Sequence, residues 1–199
     1  MRIISVGEIL VKKEDRMDNG ASSYRHFLMG DEKAFSEIID LYEDNLIFFI
    51  NRTIGNLSVS EEIAAECFAE LIVHKGRYDG KVSFKTYLFT IGHHKMVSYI
   101  RHHSLFKQVP LDDAEESEEC AQFEEQLIRD EEKRLVHEAL DKLNPDYRQV
   151  LHLLYFEDMT YDEAAAVMKK SHKQIDNMAT RARKALREIM EKEGFEYEK

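Results

Sequence analysis

The chain has 199 residues, 34% of them charged and 43% hydrophobic, and a formal net charge of −11 at pH 7. This length allows one large domain or two small ones, no apolar run is long enough to cross a bilayer, and the first residues lack a signal-peptide cleavage pattern. The sequence therefore predicts a cytoplasmic protein without membrane insertion. Only two prolines and eight glycines interrupt it, which favours helices over long loops.

The N-terminal half predicts an irregular arm over residues 1–23, followed by a small all-α domain over residues 24–104. Asp31 is a suitable N-cap for a first helix, which Gly55 and Asn56 end. The pair Ser58 and Glu61 has the spacing of a capping box and predicts the start of a second helix. After a glycine-flanked turn, a third helix is expected from about Ser83 to His103. Its core candidates are Phe84, Leu88, Ile91, Val97 and Ile100.

The next segment predicts an acidic, flexible linker over residues 105–126. Residues 112–132 hold eleven acids and a single base, Arg129. Like charges at this density repel one another and favour an extended chain. Because this stretch carries most of the negative charge, the remainder is close to neutral, and local basic patches can still meet phosphate.

Residues 127–193 predict a second small helical domain. Pro145 suits the first turn of a helix, Thr160 and Glu163 form a second capping-box pattern, and Ser171 can cap the final helix. The last two helices meet at a tight corner, which is typical of a helix-turn-helix. The fold prediction is therefore all-α, with two small helical domains joined by the acidic linker.

The final helix has one apolar stripe and one polar, basic face. Residues 169–187 contain seven cations and one anion, Asp176. This distribution is typical of a helix that enters the major groove of DNA. The apolar stripe consists of Ile175, Met178, Ala179, Ala182, Leu186 and Ile189. The predicted contacts to duplex DNA are His172, Lys173, Gln174, Asn177, Arg181 and Lys184.

The third helix of the first domain carries another basic and aromatic surface. Residues 85–107 hold four cations, four histidines and no acid. Aromatic side chains beside cations suit unpaired bases, which stack on them. Phe84 and Phe89 are expected in the core, whereas the polar tips of Tyr87 and Tyr99 favour the surface.

Motifs in both halves together resemble the sigma-70 family of bacterial RNA polymerase sigma factors. Residues 143–187, with the run Arg181-Ala-Arg-Lys-Ala-Leu-Arg, look like its C-terminal promoter-binding domain. Residues 31–101, with Phe84-Lys-Thr-Tyr-Leu and Tyr99-Ile-Arg, look like its N-terminal domain. Two domains with only a short linker are similar to the extracytoplasmic-function (ECF) group of this family.

The resemblance implies a sigma factor that binds core RNA polymerase and directs promoter-specific initiation, without enzymatic activity, cofactor or metal. The final helix would read the −35 element in double-stranded DNA. Residues implied in reading and melting the −10 element as single-stranded DNA are Lys85, Tyr87, His94, Lys95, Ser98, Tyr99 and Arg101. Residues implied in docking on core polymerase are Glu61, Glu62, Ala65, Glu66 and Glu70. The family also makes an anti-sigma factor a candidate partner, and the acidic linker would either thread the polymerase cleft or serve as a passive tether.

Several positions depart from the family pattern. His94 and Ser98 stand where Asn and Asp are usual, and Tyr87 replaces a common Trp. Ala65 stands where Gln is frequent, and Lys169 replaces the usual Gly at the helix-turn-helix corner. A left-handed backbone at Lys169 would cost roughly 1 kcal/mol. These changes leave the predicted fold intact and leave the promoter sequence undetermined.

Two other functions fit parts of the same sequence. A helix-turn-helix regulator that never engages polymerase would share the C-terminal domain, and the exposed face of residues 61–71 would distinguish it. A zinc enzyme is suggested by the His93-His94 and His102-His103 doublets, but adjacent histidines on a helix point about 100° apart. The usual i, i+4 chelating pair is missing as well. Cys67 and Cys120 are expected to be reduced, structural thiols.

Overall fold

The computed structural model describes residues 20–106, 136 and 138–192. Within these ranges every regular element is a helix, and the chain divides into two compact units. The all-α prediction with a C-terminal helix-turn-helix is confirmed. The N-terminal unit contains α1 (Ala21–Leu28), α2 (Glu32–Ile54), α3 (Leu57–Val73) and α4 (Phe84–Phe106). The C-terminal unit contains a helical turn at 138–141, then α5 (Pro145–Tyr155), α6 (Tyr161–Met168) and α7 (His172–Lys192).

Local signals place the helix ends of the N-terminal unit. The Asp31 side chain accepts a hydrogen bond from the Lys33 backbone amide at 3.0 Å, so the predicted N-cap of α2 is confirmed. Gly55 ends α2 with a φ of 68°, a left-handed conformation that glycine adopts without steric cost. The next cap differs from the prediction, because Asn56 accepts from the Val59 amide at 3.0 Å. Helix α3 therefore begins at Leu57, and Ser58 lies inside it.

Three further predictions for the N-terminal unit are corrected. Ala21–Leu28 forms α1, so the predicted irregular arm is wrong for its last three residues. Helix α4 continues to Phe106, past the predicted start of the linker at residue 105. Val97, a predicted core residue, is 45% exposed, and Met96 is fully buried instead. The predictions for residues 1–19, 107–135 and 193–199, including most of the acidic linker, lie outside the described residues.

The core of the N-terminal unit is rich in aromatic rings. Phe84 and Phe89 are fully buried, as expected, and Phe89 lies 5.4 Å from Phe49 between ring centroids. Four tyrosines surround Phe84 with centroid distances of 4.9 to 6.4 Å: Tyr24, Tyr42, Tyr78 and Tyr87. Cys67 is buried in the same unit, and burial raises the pKa of its thiol to about 12, so the thiol is protonated at neutral pH. This environment agrees with a structural role.

Helices α2 and α4 lie close together at Gly92. A Cβ atom at this position would lie 2.8 Å from Cδ1 of Leu46, inside van der Waals contact, and 3.9 Å from the sulfur of Cys67. Leu46 is itself fully buried, so it has little room to move. Glycine at position 92 therefore sets the distance between the two helices.

Gly92→Val is expected to lower the free energy of unfolding of the N-terminal unit by about 1–3 kcal/mol, because the added methyl groups overpack the α2–α4 contact. Urea unfolding followed by circular dichroism measures the change. Ala69→Val adds a β-branched side chain at an exposed position of α3 and should cost about 0.5 kcal/mol. Equal losses in the two variants would contradict the packing argument.

Two caps open the first two full helices of the C-terminal unit. Asn144 accepts from the Tyr147 amide at 2.9 Å, with Pro145 in the first turn of α5 as predicted. The Thr160 and Glu163 capping box is present at the start of α6, which confirms that prediction. The core of the unit includes Leu151 and Leu153 of α5. Ala164 is fully buried where α6 packs, whereas Ala166 faces solvent.

Candidate nucleic-acid and polymerase interfaces

The corner between α6 and α7 is tight because two local devices shape it. Lys169 adopts the left-handed conformation, with φ 51° and ψ 43°, as its place in the pattern predicted. Ser171 precedes α7 and caps it through two reciprocal hydrogen bonds with Gln174. The backbone amide of Gln174 donates to the Ser171 hydroxyl oxygen at 3.3 Å, and the backbone amide of Ser171 donates to Oε1 of the Gln174 side chain at 2.7 Å. These contacts confirm Ser171 as a capping residue.

Lys169→Gly is expected to raise the free energy of unfolding of the C-terminal unit by about 0.5 kcal/mol. Removing the Cβ relieves the left-handed strain of about 1–2 kcal/mol, and the greater freedom of glycine in the unfolded chain offsets part of that gain. Thermal unfolding of the full chain measures the shift. Ala166→Gly, at an exposed position of α6, should instead destabilise the unit by about 1 kcal/mol. A loss of stability in both variants would contradict the strain at Lys169.

Helix α7 presents the predicted polar face to solvent. Five of the predicted DNA contacts fall within an arc of about 100° around the helix axis. All of them are exposed: Lys173, Gln174, Asn177, Arg181 and Lys184. On the opposite side Ile175, Ala179 and Ala182 are fully buried. Met178 and Ile189 are only half-buried, and Met190 occupies the last buried position instead.

Three predicted contacts on α7 also have partners within the protein, and one of them, Lys184, lies 3.9 Å from Glu188 one turn further along the helix. His172 lies outside the arc, and its Nδ1 is 2.7 Å from Oδ1 of Asp162 in α6. Gln174 uses its side-chain oxygen in the cap with Ser171, so bidentate pairing with adenine, which needs that oxygen and the amide nitrogen together, would require opening the cap. Asn177 and Arg181 are therefore better placed to read base edges. The whole set stays a prediction.

Not all seven cations of this segment are available to an external ligand. Lys170 forms an ion pair with Asp146 at 3.5 Å. Arg183 donates to the hydroxyl oxygens of Tyr155 and Tyr161 at 3.1 and 3.4 Å. These two cations contact other helices of the unit, so fewer than seven are available to bind phosphate.

Helix α4 brings part of the predicted single-strand surface together. Tyr87, His94, Ser98 and Arg101 fall within an arc of about 60° around the axis. His94 and Arg101 are exposed, whereas Tyr87 and Ser98 are half-buried. Lys85 lies on the far side of the helix, with Nζ 5.8 Å from the ring centroid of Phe89. The structure therefore separates Lys85 from these four residues, and Lys95 and Tyr99 also lie outside the arc.

The sequence interpretation missed an aromatic neighbour of Tyr87. Tyr78 lies in the segment between α3 and α4, with its ring centroid 5.2 Å from that of Tyr87. Its hydroxyl donates to the Val82 carbonyl oxygen at 2.8 Å, and burial raises its pKa. Tyr99, further along α4, lies 4.2 Å from the ring of His103. The only sequence signal for Tyr78 was its position between two glycines, Gly76 and Gly80.

Lys95 lies in an ion-pair chain that joins α4 to α3. Its Nζ is 3.1 Å from Glu66 and 3.4 Å from Glu70, and Arg77 lies 3.2 Å from the other oxygen of Glu70. Burial lowers the pKa of Lys95, but the two carboxylates outweigh burial and raise it overall. The side chain is only 22% exposed. A predicted DNA contact thus meets two predicted polymerase contacts within the unit.

Helix α3 exposes most of the predicted polymerase surface. Glu61, Glu62, Ala65 and Glu66 are exposed, and Glu70 is half-buried. The same helix also exposes Ala69, Ile72 (46%) and Val73 (73%), which the sequence interpretation did not select. Exposed apolar side chains beside acids are typical of a protein-binding surface.

The histidine doublets do not form a metal site within the part of the chain that the structure describes, since no three metal-ligating side chains gather there. None of the described helices has the length and hydrophobicity needed to span a bilayer.

The fold and these surfaces define a two-unit helical protein with a helix-turn-helix and two further exposed surfaces. Residues 38–106 match the family profile "Sigma-70 region 2", and residues 133–186 match "Sigma-70, region 4". Together the matches cover more than half of the chain. The chain therefore belongs to the sigma-70 family, in its extracytoplasmic-function group.

Curated relatives and solved structures agree with this family. The chain is 25% identical over 170 residues to RNA polymerase sigma-H factor of Pseudomonas aeruginosa, covering 79% of this chain and 86% of the relative. It is 26% identical over 172 residues to the ECF sigma factor SigW of Bacillus subtilis, covering 79% and 89%. The fold resembles CnrH in complex with the cytosolic domain of CnrY (TM-score 0.61, 21% identity, 87% and 98% covered). It also resembles RpoE of Bartonella quintana in complex with the anti-sigma factor NepR (TM-score 0.58, 17% identity, 80% and 98% covered).

Proposed function

We propose that this chain is a promoter-specificity subunit that binds core RNA polymerase and directs where transcription begins. The observation that carries the proposal is the joint match to regions 2 and 4 on two units whose predicted binding faces are largely exposed. The chain would supply the DNA address and strand opening, with no covalent chemistry, cofactor or metal of its own. Polymerase would supply catalysis.

Each of the two domains has its own role in this function. The N-terminal domain, residues 24–104, docks on core polymerase through α3 and reads the −10 element through Tyr87, His94, Ser98 and Arg101 of α4. The C-terminal domain, residues 127–193, places α7 in the major groove of the −35 element. Cations on α7 provide a phosphate-binding term that weakens with salt, and Asn177 and Arg181 contact base edges.

Other partners and the location follow from the same proposal. Two solved structures of similar fold contain a partner: CnrH is in complex with the cytosolic domain of CnrY, and the sigma factor RpoE is in complex with the anti-sigma factor NepR. We extend an anti-sigma partner to this chain, together with a cytoplasmic location beside polymerase.

Reconstitution tests the proposal. The full chain is mixed with bacterial core RNA polymerase to form a holoenzyme, which is incubated with a pool of randomised promoter duplexes. Sequencing of the 5′ ends of the transcripts should reveal two enriched elements centred near −10 and −35. Binding to DNA without binding to core polymerase would instead favour the helix-turn-helix regulator that never engages polymerase.

A further inference from the structure

Arg183 lies on α7 but points away from the face predicted to meet DNA. Its position is about 130° around the helix axis from the centre of the arc that contains Lys173, Asn177 and Arg181. The side chain is partly buried, in contrast to the exposed residues of that arc. The charged group of Arg183 therefore lies on a side of α7 that faces the rest of the unit.

The guanidinium of Arg183 joins all three helices of the helix-turn-helix unit. Nη1 donates to the hydroxyl oxygen of Tyr155, the last residue of α5, at 3.1 Å. It also donates to the hydroxyl oxygen of Tyr161, the first residue of α6, at 3.4 Å, and Nη2 donates to Thr180 on α7 at 3.2 Å. The hydrogen bond with Tyr155 is the main reason that the pKa of Arg183 is raised. A planar group with several fixed donors suits this role better than a flexible ammonium.

A second polar attachment lies on the same edge of α7. His172, at the start of the helix, contacts Asp162 of α6, and its ring lies 5.8 Å from that of Tyr161. His172 and Arg183 are eleven residues apart, or about 16 Å along the axis. Their partners on α6, Asp162 and Tyr161, are adjacent residues, so the two attachments hold two points of α7 against the start of α6.

Resting on the proposed function, we propose that Arg183, held between Tyr155 and Tyr161, is a positioning residue that sets the angle at which α7 meets promoter DNA. It acts through the tyrosine hydroxyls and does not contact phosphate. Small errors in this angle displace the base-reading side chains from hydrogen-bonding distance, whereas contacts between cations and phosphate tolerate them. The consequence is a loss of specific binding with little loss of non-specific binding.

The test uses two hydroxyl deletions, Tyr155→Phe and Tyr161→Phe, together with Arg183→Met. Tyr147→Phe is the matched control, since Tyr147 is a half-buried tyrosine of α5 with no contact to Arg183 among the described interactions. Each full-length variant is assembled with core polymerase. Binding is measured to a selected promoter duplex and to the same duplex with a scrambled −35 element, over a range of salt concentrations. Circular dichroism sets a temperature at which every variant is folded.

We expect Tyr155→Phe and Arg183→Met each to weaken binding to the selected duplex about 3- to 10-fold. The double variant Tyr155→Phe/Arg183→Met should lose no more affinity than Arg183→Met alone, because that change already removes the bond to Tyr155. Binding to the scrambled duplex, the salt slope and the Tyr147→Phe control should be unchanged.

Three outcomes would overturn the inference. A fall of about one in the salt slope for Arg183→Met, with silent tyrosine variants, would make Arg183 a phosphate contact. Lower melting temperatures with unchanged affinity of the folded variants would make the cluster merely structural. Additive losses in the double variant would make the two side chains independent. Failure of the unaltered chain to assemble with core polymerase would count against the proposed function alone, so the two failures are distinguishable.

Discussion

Replacing Lys173, Asn177 and Arg181 by alanine should weaken holoenzyme binding to a selected promoter duplex by at least about 100-fold. The base contacts of Asn177 and Arg181 each contribute roughly 1–3 kcal/mol of discrimination, and Lys173 contributes to the phosphate term. All three side chains are exposed on one face of α7, opposite its buried stripe, so their removal leaves the core intact. Fluorescence anisotropy with labelled duplex measures the affinity, and the salt slope should fall by about one, for the phosphate contact of Lys173.

Lys192→Ala is the matched control for this variant. Lys192 is an exposed cation on the same helix, about 28 Å along the axis from Lys173. Its removal should change affinity by less than about twofold. If the triple variant and the control bind alike, α7 does not carry the −35 contact.

Arginine at both Ala65 and Ala69 is expected to weaken binding to core RNA polymerase by at least about tenfold. These exposed alanines lie one turn apart at the centre of the α3 surface. Two long cationic side chains there would block the close approach of a partner and neutralise the negative charge of the surrounding acids. Run-off transcription should fall in parallel, whereas the helical content of the free chain should not change. Competition against labelled wild-type chain for core polymerase gives the affinity.

Arginine at Leu41 and Asn45 of α2 provides the control. These positions have the same spacing, and both are exposed neutral residues of the same unit. A comparable loss in both variants would mean that general charge, and not the α3 surface, governs assembly.

Local chemistry explains which features of the fold could be predicted. The caps at Asp31, Thr160 and Ser171 were predictable because each bond joins residues within three positions of one another. The start of α3 was not predictable in this way, because Asn56 and Ser58 are both good caps and the sequence does not rank them. The exchange of Val97 for Met96 in the core depends on how α4 is rotated against α2 and α3, which is a tertiary property.

The same division applies to the candidate site. The exposed face of α7 follows from helical periodicity, so its residues could be chosen from sequence alone. Periodicity gives no information about partners distant in sequence. The contacts of Lys95 with Glu66 and of Arg183 with Tyr155 and Tyr161 span 29, 28 and 22 residues, and only folding brings them together. Charge counting therefore overestimated the number of cations that face DNA.

The ion-pair chain through Lys95 has a consequence for mutational genetics. A substitution at Glu66, made to weaken polymerase docking, also removes a partner of Lys95 on the helix proposed to read DNA. Its phenotype would then combine two defects, and a second-site change at Lys95 could suppress one of them without restoring the other. Epistasis between positions 66 and 95 is thus expected within the free subunit, before any polymerase or promoter is bound.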